Sequence, residues 1–386
     1  MHFYRDTWAE INLDHIRQNY LQIQGHLSEG TKLMGVVKAN GYGHGAVQVA
    51  KVLIESGIDY LAVAVLDEAL ELRNSGIKTP ILVMGFVAPQ YAKLAAKHRI
   101  SLTVFQEEWI DAVDQSLDQT LYVHLKIDTG MGRLGINGEK EAKILINKIQ
   151  KNTRLKLEGA FTHFATADEL DSKLVNLQRD RFSKFLSILK AEGVSPEVIH
   201  MGNSAGAIQF PDLEQNYVRV GISLYGLSPS EEIRSILPFT LLPALSLHSN
   251  LSHVKKIKPG DTISYGATYR AEKEEWIGTI PIGYADGWLR KYAEKGEVLI
   301  EGQRAKIVGR ICMDQFMVRM PHYVKPGTKI TLIGSQNDGV ITVDEIARQN
   351  GTINYEIPCL ISSRVPRCFM KNAKIVETMN EILNFS

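Results

Sequence analysis

Over residues 1–230, the sequence alternates repeatedly between short apolar runs and helical segments. There are eight such runs, and they begin about 26 residues apart, a comfortable length for one strand–helix unit. Eight units favour a closed (β/α)8 barrel of the TIM type over a six-stranded doubly wound sheet. The predicted strands begin near Leu33, Tyr60, Ile81, Leu102, Leu121, Leu157, Val198 and Tyr217. Helical spacing between them predicts helices over 44–56, 67–74, 89–98 and 106–117.

The alternation ends near residue 235, and a different pattern follows. Strand-like segments separated by Gly, Pro, Asp and Asn occupy residues 244–257, 262–269, 276–282, 297–320 and 328–333. One short helix is predicted over 343–349 and another near 378–383. We therefore predict an α/β protein in which residues 1–235 form the barrel and residues 236–386 form a mostly-β domain.

Charge and cysteine content exclude several classes of protein. The 44 Lys and Arg nearly balance the 43 Asp and Glu, so no general field attracts a nucleic acid or an anionic membrane. The three cysteines contain no close pair, which excludes a disulfide framework or a cysteine-based zinc site and favours the reduced cytoplasm. No metal site is predicted. The apolar runs are far shorter than the roughly 20 residues of a membrane helix.

Polar residues are concentrated where the predicted barrel strands end. In this fold the active site is built at the C-terminal ends of the strands. The chemistry-bearing residues at those ends are Lys38, Asn40, Tyr42, His44, Lys126, Asp128, Arg133, His163, Asn203, Ser204, Arg219, Gly221 and Ile222.

Two glycine motifs admit other functions. Residues 41–46 fit the G-x-G-x-x-G/A dinucleotide pattern, but three residues separate them from the preceding strand. Residues 202–206 fit the G-x-S-x-G nucleophile elbow around Ser204, but the later His253 and His322 lie in strand or loop contexts that suggest no triad. The loops after the seventh and eighth strands are the usual phosphate site of a barrel. That interpretation gives a phosphate-binding role to Asn203, Ser204, the backbone of Gly221 and Ile222, and Tyr42.

Lys38 directly follows the first strand. Burial and neighbouring cations lower the pKa of an amine, and a neutral amine can form a Schiff base with an aldehyde cofactor. A single lysine at a strand end can equally reach out to solvent. A phosphate site beside such a lysine indicates pyridoxal 5'-phosphate (PLP).

Arg219 and Tyr265 narrow the chemistry that such a cofactor would support. Arginine is the recognised alternative to a carboxylate at the pyridine nitrogen, and it leaves that nitrogen unprotonated. This favours removal of a proton followed by its prompt return. Racemisation needs a second acid–base group on the opposite face of the substrate carbon, and Tyr265 is the candidate. Taken alone, Arg219 can be a structural ion-pair partner and Tyr265 a packed core residue.

Eight segments of the sequence form an ordered set of motifs over nearly the whole chain: Val37–Gly45, Lys126–Gly135, Phe161–Phe164, Asn203–Ala205, Arg219–Ile222, Ser264–Gly266, Gly283–Gly287 and Gly309–Asp314. In their order, these motifs resemble those of bacterial alanine racemases. The resemblance implies a PLP-dependent homodimer that interconverts L-alanine and D-alanine and supplies D-alanine for cell-wall peptidoglycan.

The resemblance also implies a role for each site residue. Lys38 would hold the cofactor and act as base on D-alanine, while Tyr265 of the partner subunit would act on L-alanine. Arg133 and Met313 would bind the substrate carboxylate, and Lys126 resembles a lysine that is carbamylated in many relatives and positions the arginine seven residues on. The other cofactor-binding residues would be Tyr42, His163, Asn203, Ser204, Arg219, Gly221, Ile222 and Tyr355. The supporting residues would be His200, Tyr284, Cys312 and Asp314.

Two positions depart from the common pattern, and several functions remain as alternatives. Gly41 stands where alanine is usual, and Cys368–Phe369 stands where relatives often have an aromatic residue with a hydroxyl. The nearest alternatives are a racemase of another small amino acid such as serine, and a decarboxylase of the same barrel family with an acidic partner at the ring nitrogen. A PLP carrier would not need the β domain, and a serine hydrolase would leave Lys38 and Arg219 without a role.

Overall fold

The computed structural model describes residues 3–113, 117–213 and 215–383, which divide into two compact units. The barrel unit consists of Ile16–Gly41 and Ala46–Leu242. The sheet unit consists of Met1–His15, Tyr42–Gly45 and Pro243–Ser386.

The barrel unit contains the closed parallel barrel that the sequence predicts. Its strands are largely buried, as expected for a parallel sheet covered on its outer face. The last barrel strand pairs with the first, with Met34 opposite Arg219, and this pairing closes the barrel. After an N-terminal strand β1 (Thr7–Asn12), the barrel strands are β2 (Lys32–Val36), β3 (Tyr60–Val63), β4 (Ile81–Val83), β5 (Ile100–Val104), β6 (Leu121–Lys126), β7 (Leu155–Phe161), β8 (Val198–His200) and β9 (Tyr217–Val220).

Helices connect the barrel strands, and most of the predicted ones are present. The prediction over 106–117 corresponds to Glu107–Val113, and residues 114–116 lie outside the described part of the chain. The α-helices of this unit are Leu13–His26 (which begins in the sheet unit), Ala46–Glu55, Leu66–Asn74, Ala92–Lys97, Glu107–Val113, Glu139–Lys151, Lys173–Ala191, Ser204–Gln209 and Glu231–Ser235. Among the described residues, no helix combines the length and the apolar character needed to cross a membrane.

The sheet unit is mostly β-structure. The strands after the barrel are β10 (Leu245–Asn250), β11 (His253–Ile257), β12 (Thr262–Ile263), β13 (Tyr269–Arg270), β14 (Glu275–Ile280), β15 (Glu297–Ile300), β16 (Gln303–Val308), β17 (Phe316–Met320), β18 (Lys329–Gln336), β19 (Gly339–Ile341), β20 (Arg367–Lys371) and β21 (Lys374–Met379). The large sheet has the strand order β11-β14-β17-β16-β15-β18-β10-β1-β20-β21, with β19 paired to β18, and β12 and β13 form a separate pair. Among the described residues, the α-helices of this unit are Val343–Asn350 and Glu356–Leu360.

The structure differs from the sequence prediction at both ends of the chain. The division at residue 235 assigned residues 1–15 to the barrel. Strand β1 instead lies in the large sheet, antiparallel to β10 and parallel to β20, because its alternating buried residues fit that surface. The predicted helix near 378–383 is wrong in its first half. Residues 378–379 end β21, and a single 3₁₀ turn, Glu381–Leu383, follows.

Candidate active site

In the barrel unit, Lys38 stands at the start of a turn with left-handed backbone. Ala39, Asn40 and Gly41 have φ of 52°, 52° and 60°, and Tyr42 also has φ of 52°. This conformation costs about 1–2 kcal/mol for each residue other than glycine, so Gly41 suits its place. The Gly41 N–H donates to the Val37 carbonyl at 2.9 Å. The turn therefore holds the segment that presents Lys38 in a strained but defined shape.

Glu68 ties this turn to the neighbouring strand end, a role that sequence reasoning missed. Its Oε1 accepts a hydrogen bond from the Ala39 N–H at 2.6 Å. Its Oε2 accepts from the N–H groups of Ala64 at 2.7 Å and Val65 at 3.2 Å. One carboxylate thus satisfies three backbone donors, and it joins the residue after Lys38 to the end of β3.

Arg219 is in direct contact with His163 and His200. Arg219 Nη1 donates to His200 Nδ1 at 2.7 Å, and Nη2 donates to His163 Nδ1 at 3.0 Å. Nη2 also donates to the carbonyls of Thr162 and Met201 at 2.9 and 3.1 Å. Burial, followed by the charge of Arg133, lowers the pKa of Arg219 to about 9, so the guanidinium stays protonated at neutral pH. Its position is fixed by these acceptors.

The two histidines are held neutral. Burial, followed by the charge of Arg219, lowers the pKa of both His163 and His200 well below the usual 6.5. At His163 the charges of Arg133, Lys126 and Lys38 act in the same direction. Four basic side chains therefore act on one partly buried imidazole, and the mouth of the barrel is a local site of positive potential in a nearly neutral chain.

Lys126 is the last residue of β6, and Arg133 lies on the loop that follows the strand. Lys126 is 5% exposed, its Nζ donates to the Ile127 carbonyl at 2.7 Å, and it stands 5.4 Å from the centre of the Phe161 ring. Burial, followed by the charge of Arg219, lowers the pKa of Lys126 to about 7. Asp128 stabilises the loop that carries the exposed Arg133. Its Oδ1 accepts hydrogen bonds from the N–H groups of Gly130 and Gly132, each at 3.0 Å.

Asn203, Ser204 and Gly221 meet where β8 and β9 end. Asn203 caps the helix Ser204–Gln209, and its side chain accepts from the Gly206 N–H at 2.9 Å. Ser204 Oγ accepts from the Gly221 N–H at 3.0 Å, and Gly221 and Ile222 are both buried. Hydroxyl, amide and backbone N–H donors thus lie in the unit that also carries the cations and Lys38. This donor set fits an anionic cofactor with an aldehyde group, as PLP is.

In the sheet unit, Tyr265 stands on a strained, exposed turn between β12 and β13. Ser264, Gly266 and Ala267 have φ of 66°, 74° and 47°, and the Tyr265 side chain is 71% exposed. Arg310 contacts the turn, because its carbonyl accepts a hydrogen bond from Ser264 Oγ at 2.6 Å, and a Cβ at Gly266 would lie 3.3 Å from its guanidinium. Beneath it, Ile263 and Ala271 belong to a buried cluster with Ile257, Ile277 and Val308. The phenol is therefore projected away from a packed base.

Tyr284, Cys312 and Met313 gather beside the same turn. Ser264 Oγ lies 3.6 Å from Cys312 Sγ. The Tyr284 N–H donates to the Cys312 carbonyl at 3.1 Å, and Met313 is 53% exposed. Asp314 is held differently, by a 2.8 Å hydrogen bond from Arg364 Nη2.

Tyr42 and Tyr355 also lie together in the sheet unit, with ring centres 6.3 Å apart. The nearby Gly43 explains why residues 42–45 belong to this unit. Any Cβ at Gly43 would lie 2.2 Å from the Pro358 carbonyl oxygen, so only glycine permits this approach. The predicted site residues thus form several groups, each assembled within its own unit.

Sequence reasoning missed several residues that hold these groups. They are Glu68, Arg310 and a pair inside the barrel, His124 and Glu158. Charged or polar residues within otherwise apolar barrel strands were the available signal for the pair.

The chain resembles known proteins over nearly its whole length. Residues 11–229 match the family described as "Alanine racemase, N-terminal domain", and residues 244–369 match "Alanine racemase, C-terminal domain". An alanine racemase of Geobacillus kaustophilus is 52% identical over 98% of this chain and 98% of its own length. Alanine racemase 1 of Bacillus subtilis is 49% identical over 99% and 97%. A crystal structure of alanine racemase from Bacillus anthracis with bound L-Ala-P has a TM-score of 0.97 and 48% identity, covering 100% of both chains.

Proposed function

Since the chain belongs to the alanine racemase family of isomerases, we propose that it interconverts L-alanine and D-alanine through two bases, Lys38 and Tyr265, that act on opposite faces of the substrate. The observation that carries the proposal is the buried Arg219 between two neutral histidines. A protonated guanidinium there donates hydrogen bonds without giving up its proton, which suits racemisation better than decarboxylation.

We infer PLP as the cofactor on the chemistry of the donor set. Lys38 would bind it covalently, Arg219 would face its ring nitrogen, and His163 would lie beside the ring. Its phosphate would be held by Tyr42, Asn203, Ser204, Gly221, Ile222 and Tyr355. When bound, PLP withdraws electrons from the substrate α-carbon and so makes its proton removable. The side chains of this protein would bind the substrate and transfer its α-proton.

Two proton-transfer groups are assigned to opposite faces. The Lys38 amine would take the α-proton from D-alanine and return it, and the Tyr265 hydroxyl would do so for L-alanine. The high exposure of Tyr265 and Met313 supports a homodimer in which the sheet unit of one subunit completes the site of the other. In that arrangement Tyr284, Cys312 and Asp314 would line the wall of the partner's site.

Arg133 and Met313 are assigned to the substrate carboxylate. Arg133 is an exposed cation on the loop that Asp128 fastens, and an arginine fork matches a carboxylate. We propose that Lys126 carries a carbamate whose oxygens hold Arg133 in place. The buried Lys126 amine, with its pKa lowered to about 7, supports this, because a partly neutral amine can react with CO2. His200 would orient Arg219.

The remaining parts of the proposal rest on the family relationship. They are a cytoplasmic location and a role in supplying D-alanine for peptidoglycan. A slightly larger amino acid such as serine is the alternative substrate, because Arg133 would bind only the carboxylate that all amino acids share.

Purified protein reconstituted with PLP tests the proposal. We expect the visible absorption of lysine-linked PLP, its fixation by borohydride on the peptide that contains Lys38, and conversion of L-alanine to D-alanine. Lys32, an exposed lysine on β2, the strand before Lys38, is paired with Asp59 at 2.7 Å and provides the control. Lys32→Arg should leave labelling and turnover unchanged, whereas Lys38→Arg should abolish both. A protein that takes up no PLP, or that is labelled elsewhere, would overturn the proposal.

A further inference from the structure

A chain of hydrogen bonds runs from Arg219 through the interior of the barrel to Glu158. Arg219 Nη1 lies 2.7 Å from His200 Nδ1, and His200 Nε2 lies 2.9 Å from His124 Nδ1. His124 Nε2 lies 3.0 Å from Glu158 Oε2. His124 and His200 are 0% exposed, and the Glu158 side chain is 18% exposed. A buried cation is thereby connected to a carboxylate through two imidazoles.

Elementary chemistry determines which atom donates and which accepts in each of these hydrogen bonds. Arginine can only donate, so His200 Nδ1 must accept and its proton lies on Nε2. His200 Nε2 then donates to His124 Nδ1, which leaves the proton of His124 on Nε2, facing the Glu158 carboxylate. Burial is the largest cause that lowers the pKa of both histidines, so the imidazoles are neutral and each carries one proton. The opposite set of tautomers would place two N–H groups face to face at Arg219.

Glu158 is the negatively charged group at the end of this series of hydrogen bonds. Its Oε2 also accepts hydrogen bonds from Ser101 Oγ at 2.7 Å and from the Tyr60 hydroxyl at 2.8 Å. Burial acts to raise the pKa of Glu158, but the hydrogen bonds from His124, Ser101 and Tyr60 outweigh it and bring the pKa below the ordinary 4.5. The carboxylate is therefore ionised across the neutral range.

Neighbouring residues are shaped to admit the two imidazoles. Any Cβ at Gly159 would lie 2.4 Å from His124 Nδ1, so glycine is required there. The pairing of β6 with β7 shifts register between Val123 and His124, which aligns His124 with Gly159. The Phe161 ring stacks on His200 with ring centres 4.6 Å apart and planes 5° apart. These features leave His124 and His200 little freedom to rotate.

We propose that Glu158, acting through His124 and His200, is the remote counter-charge that positions Arg219. Among the described residues no carboxylate oxygen lies within ion-pair distance of Arg219, although a buried cation without negative charge nearby is costly. The hydrogen-bond chain connects this cation to a carboxylate, and it reaches the guanidinium through the hydrogen bond from Nη1 to His200 Nδ1. This inference rests on the proposed function, because Arg219 is assigned there to the cofactor ring.

The first test needs no cofactor. In apoprotein with ¹⁵N-labelled histidine, we expect His124 and His200 both to carry their proton on Nε2 at neutral pH. Those signals should persist until Glu158 is protonated, below its ordinary pKa of 4.5. In Glu158→Gln the amide oxygen still accepts, so the tautomers should remain but the acid transition should disappear. A proton on Nδ1 of His200, or an acid transition unchanged in Glu158→Gln, would overturn the proposal.

The second test measures positioning in the PLP-loaded enzyme. His124→Phe should lower kcat for alanine about tenfold with little change in KM, as expected when a residue that orients another functional side chain is removed. Glu158→Gln should fall between this variant and wild type. Glu197→Gln removes an exposed carboxylate that is paired with Lys156 at 3.1 Å, and it should match wild type. Wild-type kcat in His124→Phe would contradict the proposal. Failure of the wild-type protein to bind PLP would refute the proposed function. The tautomers measured in the apoprotein would still test the proposed role of Glu158, His124 and His200.

Discussion

Lys126 shows how burial can change the chemistry of a single side chain. Its amine is enclosed beside Phe161 and near the positive charges of Arg219 and Arg133, and its pKa falls from 10.5 to about 7. A lysine of ordinary pKa would be almost wholly protonated at neutral pH and would not react with CO2. Burial thus makes the amine reactive. A carbamate on Lys126 would attract Arg133, whereas a protonated amine would repel it.

This shift predicts how stability depends on pH. Between about pH 7 and 10.5 the unfolded chain holds a proton on Lys126 that the folded apoprotein does not. Stability should therefore rise with pH in this window, by up to about 1.4 kcal/mol per unit. Lys126→Met should lack that increment when both proteins are unfolded with urea in CO2-free buffer. Equal slopes in the two proteins would contradict the burial argument.

The residues of the site differ in how far the sequence alone predicts their roles. Lys38, Arg219 and Tyr265 could be proposed because they sit in distinctive motifs or at strand ends. Glu68 could not, because its role depends on three backbone N–H groups brought together only by folding. His124 and Glu158 are visible as polar residues in apolar strands, but their partnership depends on the register of β6 against β7.

At the scale of elements, the left-handed turn after β2 has a costly backbone shape. Its non-glycine residues with positive φ need external support, and Glu68 provides it from the start of the helix Leu66–Asn74. A turn that presents a cofactor lysine benefits from such support, because a mobile amine would lose alignment with the substrate carbon.

Removing this support should weaken the protein measurably. Glu68→Ala leaves three backbone donors without their carboxylate and should cost about 1–3 kcal/mol of unfolding free energy in urea. Asp67→Asn is the matched control, since it removes a neighbouring charge from the same helix start. The control should lose no more than about 1 kcal/mol. Equal losses in the two variants would mean that Glu68 acts only through its charge at the helix end.

At the scale of the whole molecule, the sequence predicted the barrel well because each strand pairs with its neighbour along the chain. It did not predict β1, because β1 pairs with strands more than 200 residues away and local periodicity carries no such information. The same limit applies to the irregular strand order of the sheet unit.

A substitution at Ile11 in β1 tests this long-range pairing. Its side chain is 0% exposed, so Ile11→Ala should cost about 2–5 kcal/mol by opening a cavity. Hydrogen exchange should quicken together in β10 and β20, the strands on either side of β1. Tyr4→Ala, at a residue 94% exposed, should change neither strand. Exchange that quickens in only one of the two strands would contradict the central place of β1.

The central claim, that two different bases serve the two faces of the substrate, is tested most directly by Tyr265→Phe in D2O. With Lys38 intact, we predict that the variant still exchanges the α-hydrogen of D-alanine for deuterium while forming little L-alanine, as read by NMR and chiral chromatography. Wild type should exchange and racemise both enantiomers. Formation of L-alanine by the variant at the wild-type rate, or loss of exchange on D-alanine as severe as the loss of racemisation, would contradict the account.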